Sequence, residues 1–200
     1  MELKADLWFP SIIFAGINED INLDFLKVTA SNLKGDDNSN EWCSEAMSNF
    51  DDLELDKKLM MGAFQSELDK AVDHVCKSIG FPAVALKEFR LHDGGPGTYS
   101  TQHNNPGSLL SGLFFVNIPE DNMGDVQFFR DDESSYYLPT LDLYNNITTK
   151  LATYKPQAGL MLIFPSWIKH ATTMNNSDKN RLVVSFNYGV KQCELIRTLN

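Results

Sequence analysis

Gly159-Leu160-Met161-Leu162-Ile163-Phe164-Pro165-Ser166-Trp167-Ile168-Lys169-His170 decides how the second half of the chain is read. An unbroken apolar run bounded by Gly159 and Pro165 is the pattern of a buried strand. Pro165 cannot donate to a sheet ladder, so the strand stops there. The following loop, with His170 at its end, then lies at the mouth of whatever the strands enclose. The chain returns through Arg181-Leu182-Val183-Val184-Ser185-Phe186-Asn187. This reads as another strand, with Arg181 at its start and Val183 on the same face.

Strand signals continue outward from this block. Residues 83–91 alternate apolar and polar, 109–117 form a strong strand with Gly112 inside, and 125–129, 148–154 and 193–199 complete the set. Asp93-Gly94-Gly95-Pro96-Gly97 reads as a turn. The first part of the chain differs. Residues 7–14 suggest a short strand bent at Pro10. Residues 20–33 place Ile21, Phe25, Leu26 and Ala30 at helical spacing, and 53–79 carry one apolar stripe ending at Gly80. Residues 34–50 and 131–146 are polar inserts, holding Trp42 and the run Asp131-Asp132-Glu133 with Tyr136 and Tyr137. Helices first and short strands after predict a mostly β chain of α+β class, a sandwich or barrel with helices on one face. One domain over 1–200 is expected, with strand and helices in 1–81 and the β core in 82–200.

The formal net charge is -10, from 27 acidic and 17 basic residues, which disfavours generic binding to nucleic acid or an anionic membrane. No apolar stretch approaches the roughly 18 residues a membrane span needs, and no signal peptide is visible. Cys43, Cys76 and Cys193 are widely spaced, fitting free thiols in a reducing cytoplasm and giving no zinc motif. Trp8, Trp42 and Tyr136 are candidates for a face between two copies of the chain.

Chemistry rests on few residues. Of the four histidines, His74 reads as a solvated helix residue and His92 as a turn or supporting residue. His103, in Ser100-Thr101-Gln102-His103-Asn104-Asn105-Pro106, and His170 each sit at a strand end. Two neutral imidazoles on neighbouring strands can hold a divalent iron. Arg181, if it faces inward, needs an anion, and a carboxylate held in two-pronged fashion would satisfy it. The plainer alternative is an ion pair with Asp178.

Phe9-Pro10-Ser11-Ile12-Ile13, His103-Asn104-Asn105-Pro106-Gly107-Ser108, Leu110-Ser111-Gly112-Leu113-Phe114-Phe115-Val116, Phe164-Pro165-Ser166-Trp167 with His170, and Arg181 with Ser185-Phe186-Asn187 together resemble the 2-oxoglutarate- and iron(II)-dependent oxygenases common in marine phages and bacteria. The resemblance implies a double-stranded β-helix (a cupin-like jelly roll) buttressed by N-terminal helices. It implies His103 and His170 as iron ligands, Arg181 as the grip on the 2-oxoglutarate carboxylate, and Ser185 in support on the same strand face. The implied activity is a dioxygenase acting as a hydroxylase in the cytoplasm, that of the host where a phage encodes it.

The chain departs from the family pattern at Asn105, where an Asp, Glu or His ligand is the norm, and at Phe115, where many relatives carry tyrosine. Three outcomes stay open: water fills the third position, an acid such as Asp93 or Asp125 does, or iron and catalysis have been lost. The last corresponds to a jelly-roll module that binds a protein or small ligand. The substrate, whether small molecule, protein side chain or nucleobase, is not encoded in any of these motifs.

Overall fold

The computed structural model describes residues 11–32, 55–130 and 148–191. In chain order the elements are β1 (Phe14–Ile17), α1 (Leu23–Asn32), α2 (Leu55–Ile79), β2 (Val84–Gly94), β3 (Ser100–His103), β4 (Leu110–Asn117), β5 (Val126–Phe129), β6 (Leu151–Tyr154), β7 (Leu160–Pro165), β8 (His170–Thr172) and β9 (Arg181–Val190). They form a five-stranded sheet in the order β1-β7-β4-β9-β2 and a four-stranded sheet in the order β3-β8-β5-β6. The strands pair antiparallel throughout. The outcome is a mostly β, jelly-roll-like arrangement of two antiparallel sheets.

The helices end where the sequence tells them to. Asn22 caps α1, its side-chain oxygen accepting from the Phe25 amide at 3.0 Å. Gly80 takes φ 71° just past α2, and the Phe81 amide bonds back to the Cys76 carbonyl at 2.9 Å. That left-handed turn closes the helix and suits a residue with no Cβ.

The larger sheet is apolar on both faces because it is covered on both. Phe114, Val116, Val184, Phe186 and Tyr188 pack with Leu68, Val72 and Val75 of α2. Leu113, Phe115, Leu162 and Val183 point the other way, toward Val126 and Phe128 of the smaller sheet. The alternation along β4 therefore serves two cores, which explains the near-continuous apolar run. Gly112 is the one gap in β4. A Cβ there would lie 2.2 Å from the Phe186 ring and 2.7 Å from the Leu162 carbonyl oxygen, so the glycine gives Phe186 its seat.

Several expectations shift. Among the described residues the first strand lies at Phe14–Ile17, where it pairs with β7, and 11–13 are not strand; residues 7–10 of the strand expected over 7–14 lie outside the described residues. β2 does not stop at Leu91; it runs through His92 and Asp93 to Gly94, held by β9 along its whole length. The turn expected at 93–97 is correspondingly shorter. The loop expected around His170 contains a strand of its own, β8, too short to show a period. Trp8, Pro10, Trp42, Cys43, the acidic run at 131–133, Tyr136, Tyr137 and the strand expected over 193–199 lie outside the described residues. Among the described residues no helix is long and apolar enough to cross a membrane.

Candidate active site

β3 and β8 are neighbours in the smaller sheet, and His103 is the register partner of His170. Residues directly opposite in an antiparallel pair project to the same side. The two imidazoles consequently meet, with ring centroids 4.3 Å apart and planes at 52°. His170 is buried and backed by the Phe164 and Phe128 rings, whereas His103 is exposed.

Each ring is held the same way. His103 Nδ1 lies 2.7 Å from the Thr101 carbonyl and His170 Nδ1 lies 3.0 Å from the Ile168 carbonyl. A carbonyl only accepts, so Nδ1 carries the proton and donates, and in the neutral tautomer Nε2 keeps its lone pair. Loss of solvation in the apolar pocket lowers the His170 pKa to about 4; the bond to Ile168 opposes this and His103 adds to it. His170 is thus neutral at physiological pH, the form that ligates a metal.

The donor set fits a first-row divalent ion. With ring centroids 4.3 Å apart the two imidazoles are close enough for one ion to reach both, and neutral imidazole nitrogen is a donor such an ion would take.

Both histidines line a cavity of about 600 Å³ between the sheets, within the usual range for small-ligand sites. The opposite wall comes from the larger sheet. A bulge at Lys87 sets the phase of β2, and beyond it Glu88, Arg90 and His92 all line the cavity. They stand opposite Asn187, Ser185 and Val183 of β9 in that order. His92 is buried, and its Nε2 bonds the Ser185 hydroxyl at 2.7 Å.

Asn105 lines the same cavity, in a polar network. Its amide nitrogen donates to Ser111 Oγ at 2.9 Å, Ser111 Oγ donates to Asn187 Oδ1 at 2.6 Å, and Ser111 and Ser166 hydroxyls lie 2.8 Å apart. The single Ser111 proton goes to Asn187, so Ser111 can only accept from Asn105. That orients the Asn105 amide, its carbonyl oxygen being the branch left over.

The two acids considered for the third position do not supply it. Among the described residues no group of three His, Cys, Asp or Glu side chains comes together. Alternation on β2 turns Asp93 to the opposite face from His92, and its carboxylate accepts from Asn180 at 2.9 Å.

Arg181 is brought to the same end of β9 as expected but not to the cavity wall. It is 1% exposed, and Nη1 donates to the Met123 carbonyl and reaches those of Gly124 at 3.4 Å and Thr173 at 3.5 Å. Nη2 donates to the Thr98 carbonyl at 3.3 Å. Burial lowers its pKa to about 10, so it stays a cation among backbone dipoles. Gly124, at φ 88°, makes room: a Cβ there would sit 2.1 Å from the Thr173 oxygen and 2.4 Å from Arg181 Nη1. Asp178, the ion-pair partner considered above, is exposed, and the guanidinium donates to the Met123 and Thr98 carbonyls. His74 is exposed on α2, as read from sequence. Glu88, Arg90 and the cavity role of His92 were missed, although their two-residue spacing was a visible signal.

Residues 93–187 match the family model described as "Putative 2OG-Fe(II) oxygenase". That match spans a little under half of the chain. Its matched segment contains His103, Asn105, His170, Arg181 and Ser185, and begins just after Glu88, Arg90 and His92. Solved structures share the fold at low identity. AviO1 from Streptomyces viridochromogenes Tue57 aligns at 11% identity over 92% of each chain, with TM-score 0.61. HygX from Streptomyces hygroscopicus, with nickel and 2-oxoglutarate bound, aligns at 11% identity over 90% of this chain and 81% of that one, with TM-score 0.59. A Pseudomonas putida prolyl-4-hydroxylase aligns at 14% identity over 92% and 88%, with TM-score 0.51. Against a Burkholderia pseudomallei oxidoreductase of the 2OG-Fe(II) oxygenase family and the epimerase SnoN, the chain spans about half of the other protein, 45% and 49%. No curated protein matches the chain.

Proposed function

We propose that this protein is an iron(II)- and 2-oxoglutarate-dependent dioxygenase that hydroxylates a small molecule or a protein side chain. The observation that carries the reading is the cross-strand imidazole pair, each ring with Nδ1 bound to a carbonyl and Nε2 left to ligate, on the wall of a cavity inside an oxygenase-family fold. His103 and His170 hold the iron. The Asn105 carbonyl oxygen, or water positioned beside it, takes the third protein-side position. Iron(II), when bound, supplies the oxygen activation by which 2-oxoglutarate and O2 become succinate and CO2 while one oxygen atom enters a substrate C–H bond.

The protein's own work is orientation. The Ser185 hydroxyl, held by His92, is placed to bond a carboxylate of the cosubstrate. Arg181 contributes positive charge behind it at the start of the same strand. A direct grip requires the carboxylate to take over donors now given to Met123 and Thr98. Phe164 and Phe128 keep water from the back of His170. The two sheets form a cupin-like double-stranded β-helix buttressed by the N-terminal helices, the whole of 1–200 being one oxygenase-like domain. The protein works in the cytoplasm, the host's if a phage encodes it.

A second reading, a jelly-roll binding module without catalysis, is favoured by one observation: no carboxylate joins the histidine pair among the described residues. Anaerobic titration with iron(II) and 2-oxoglutarate separates the two. The oxygenase gives the visible charge-transfer band of the chelate and then succinate in air. Silence in both assays leaves the binding module.

A further inference from the structure

Glu88 and Arg90 are two residues apart on β2, so both side chains project from the face that walls the cavity. Arg90 Nε donates to the Glu88 carboxylate. Arg90 is 49% exposed and Glu88 39%, which puts the pair at the open side of the cavity rather than in the core. An ion pair this exposed adds little to stability, so the fold does not depend on it. Its cross-strand neighbours, Ser185 for Arg90 and Asn187 for Glu88, are the polar residues that line the same cavity. Both charges also lie outside the segment that matches the oxygenase family, which begins at residue 93.

A coupled pair of opposite charges selects its ligand by what each half is left with. An anion that takes Arg90 leaves the Glu88 carboxylate beside it, uncompensated and repelling the newcomer. A cation that takes Glu88 meets the Arg90 guanidinium beside it as a like charge. A ligand that brings both signs satisfies both halves at once, and like-charge contacts penalise the singly charged alternatives. The spacing of the pair suits charges a few bonds apart.

We propose that the substrate is a small zwitterion, a free amino acid in the simplest case, with its carboxylate on Arg90 and its ammonium on Glu88. This rests on reading the cavity as an iron and 2-oxoglutarate site. The pair fixes the substrate's head group at the cavity wall facing the histidines, and the side chain of the amino acid supplies the C–H bond.

The test uses the full chain with iron(II) and 2-oxoglutarate and a panel of free α-, β- and γ-amino acids, each beside its N-acetyl and its amide derivative. Succinate release and a product heavier by one oxygen are the readouts. At least one free amino acid should raise succinate release at least about tenfold, with both capped forms well below it. Glu88→Gln should then erase the preference over the N-acetyl form, and Arg90→Gln the preference over the amide. A purely structural ion pair would not split the two preferences in this way. A protein that forms the chelate band but ignores the whole panel overturns the zwitterion proposal and leaves the oxygenase reading standing. Equal response to free and capped forms overturns it as well. Absence of the chelate band removes the oxygenase reading, and this proposal falls with it.

Discussion

His103 and His170 face each other across the β3–β8 ladder, one exposed and one buried, with ring centroids 4.3 Å apart. The asymmetry gives them different tasks. His170 is fixed by aromatic walls and its bond to Ile168, whereas His103 sits at the rim, where a ligand can approach. Registering two histidines on adjacent strands sets their separation through the sheet itself, so the proposed iron would need no flexible loop to close around it.

Metal uptake should depend on this pair and respond to position 105. His170→Ala is expected to abolish iron(II) binding in an anaerobic titration. Asn105→Asp is expected to tighten it about tenfold or more, because a carboxylate replaces a neutral amide oxygen. Unchanged affinity in Asn105→Asp would place that side chain outside the coordination sphere.

Burial of neutral His170 makes metal-free stability depend on pH. The unfolded imidazole titrates near about 6.5 and the folded one at about 4. Between those values the unfolded chain binds a proton that the folded chain refuses. Stability is therefore full above about pH 6.5 and falls as pH drops toward 4, by roughly 3 kcal/mol in total. Urea unfolding at pH 7 and pH 4.5 should show a steeper loss for the native protein than for His170→Gln. Parallel losses would assign the pH dependence to other groups.

Arg181 ties together carbonyls from three turns at the far end of the barrel. Arg181→Met should cost about 2–4 kcal/mol in urea unfolding, since buried acceptors lose a charged donor. Arg181→Lys should recover only part, because one ammonium cannot span acceptors served by two guanidinium nitrogens. A Lys variant of native stability that no longer forms the 2-oxoglutarate chelate band would show the guanidinium gripping the cosubstrate instead.

Gly112→Ala should destabilise by roughly 1–3 kcal/mol through overpacking, as the new methyl collides with Phe186 and the Leu162 carbonyl. Chemical denaturation measures it directly. A neutral result would mean that Phe186 shifts without loss into another rotamer.

Much of this was legible in the residue order. The apolar run before Pro165, the stripe ending at Gly80 and the spacing from His170 to Arg181 each fixed an element and an end point. β8 was not legible, because three residues cannot display a period. His92 looked like a turn residue because Gly94 and Gly95 follow it; pairing with β9 carries the strand past it instead. Arg181 was readable as a buried charge in need of partners, but backbone carbonyls from distant turns leave no mark in the sequence.

The sequence by itself determined which residues are apolar in alternation, where strands must stop and which side chains can carry charge or ligate a metal, because these follow from local chemistry and steric rules. Tertiary structure alone decided which strands lie side by side and which face turns inward. Those choices depend on register between segments far apart in the chain, and a shift of one residue would turn every side chain on a strand to its other face. The bulge at Lys87 shows the consequence: it sets the phase that faces Glu88, Arg90 and His92 toward the two histidines.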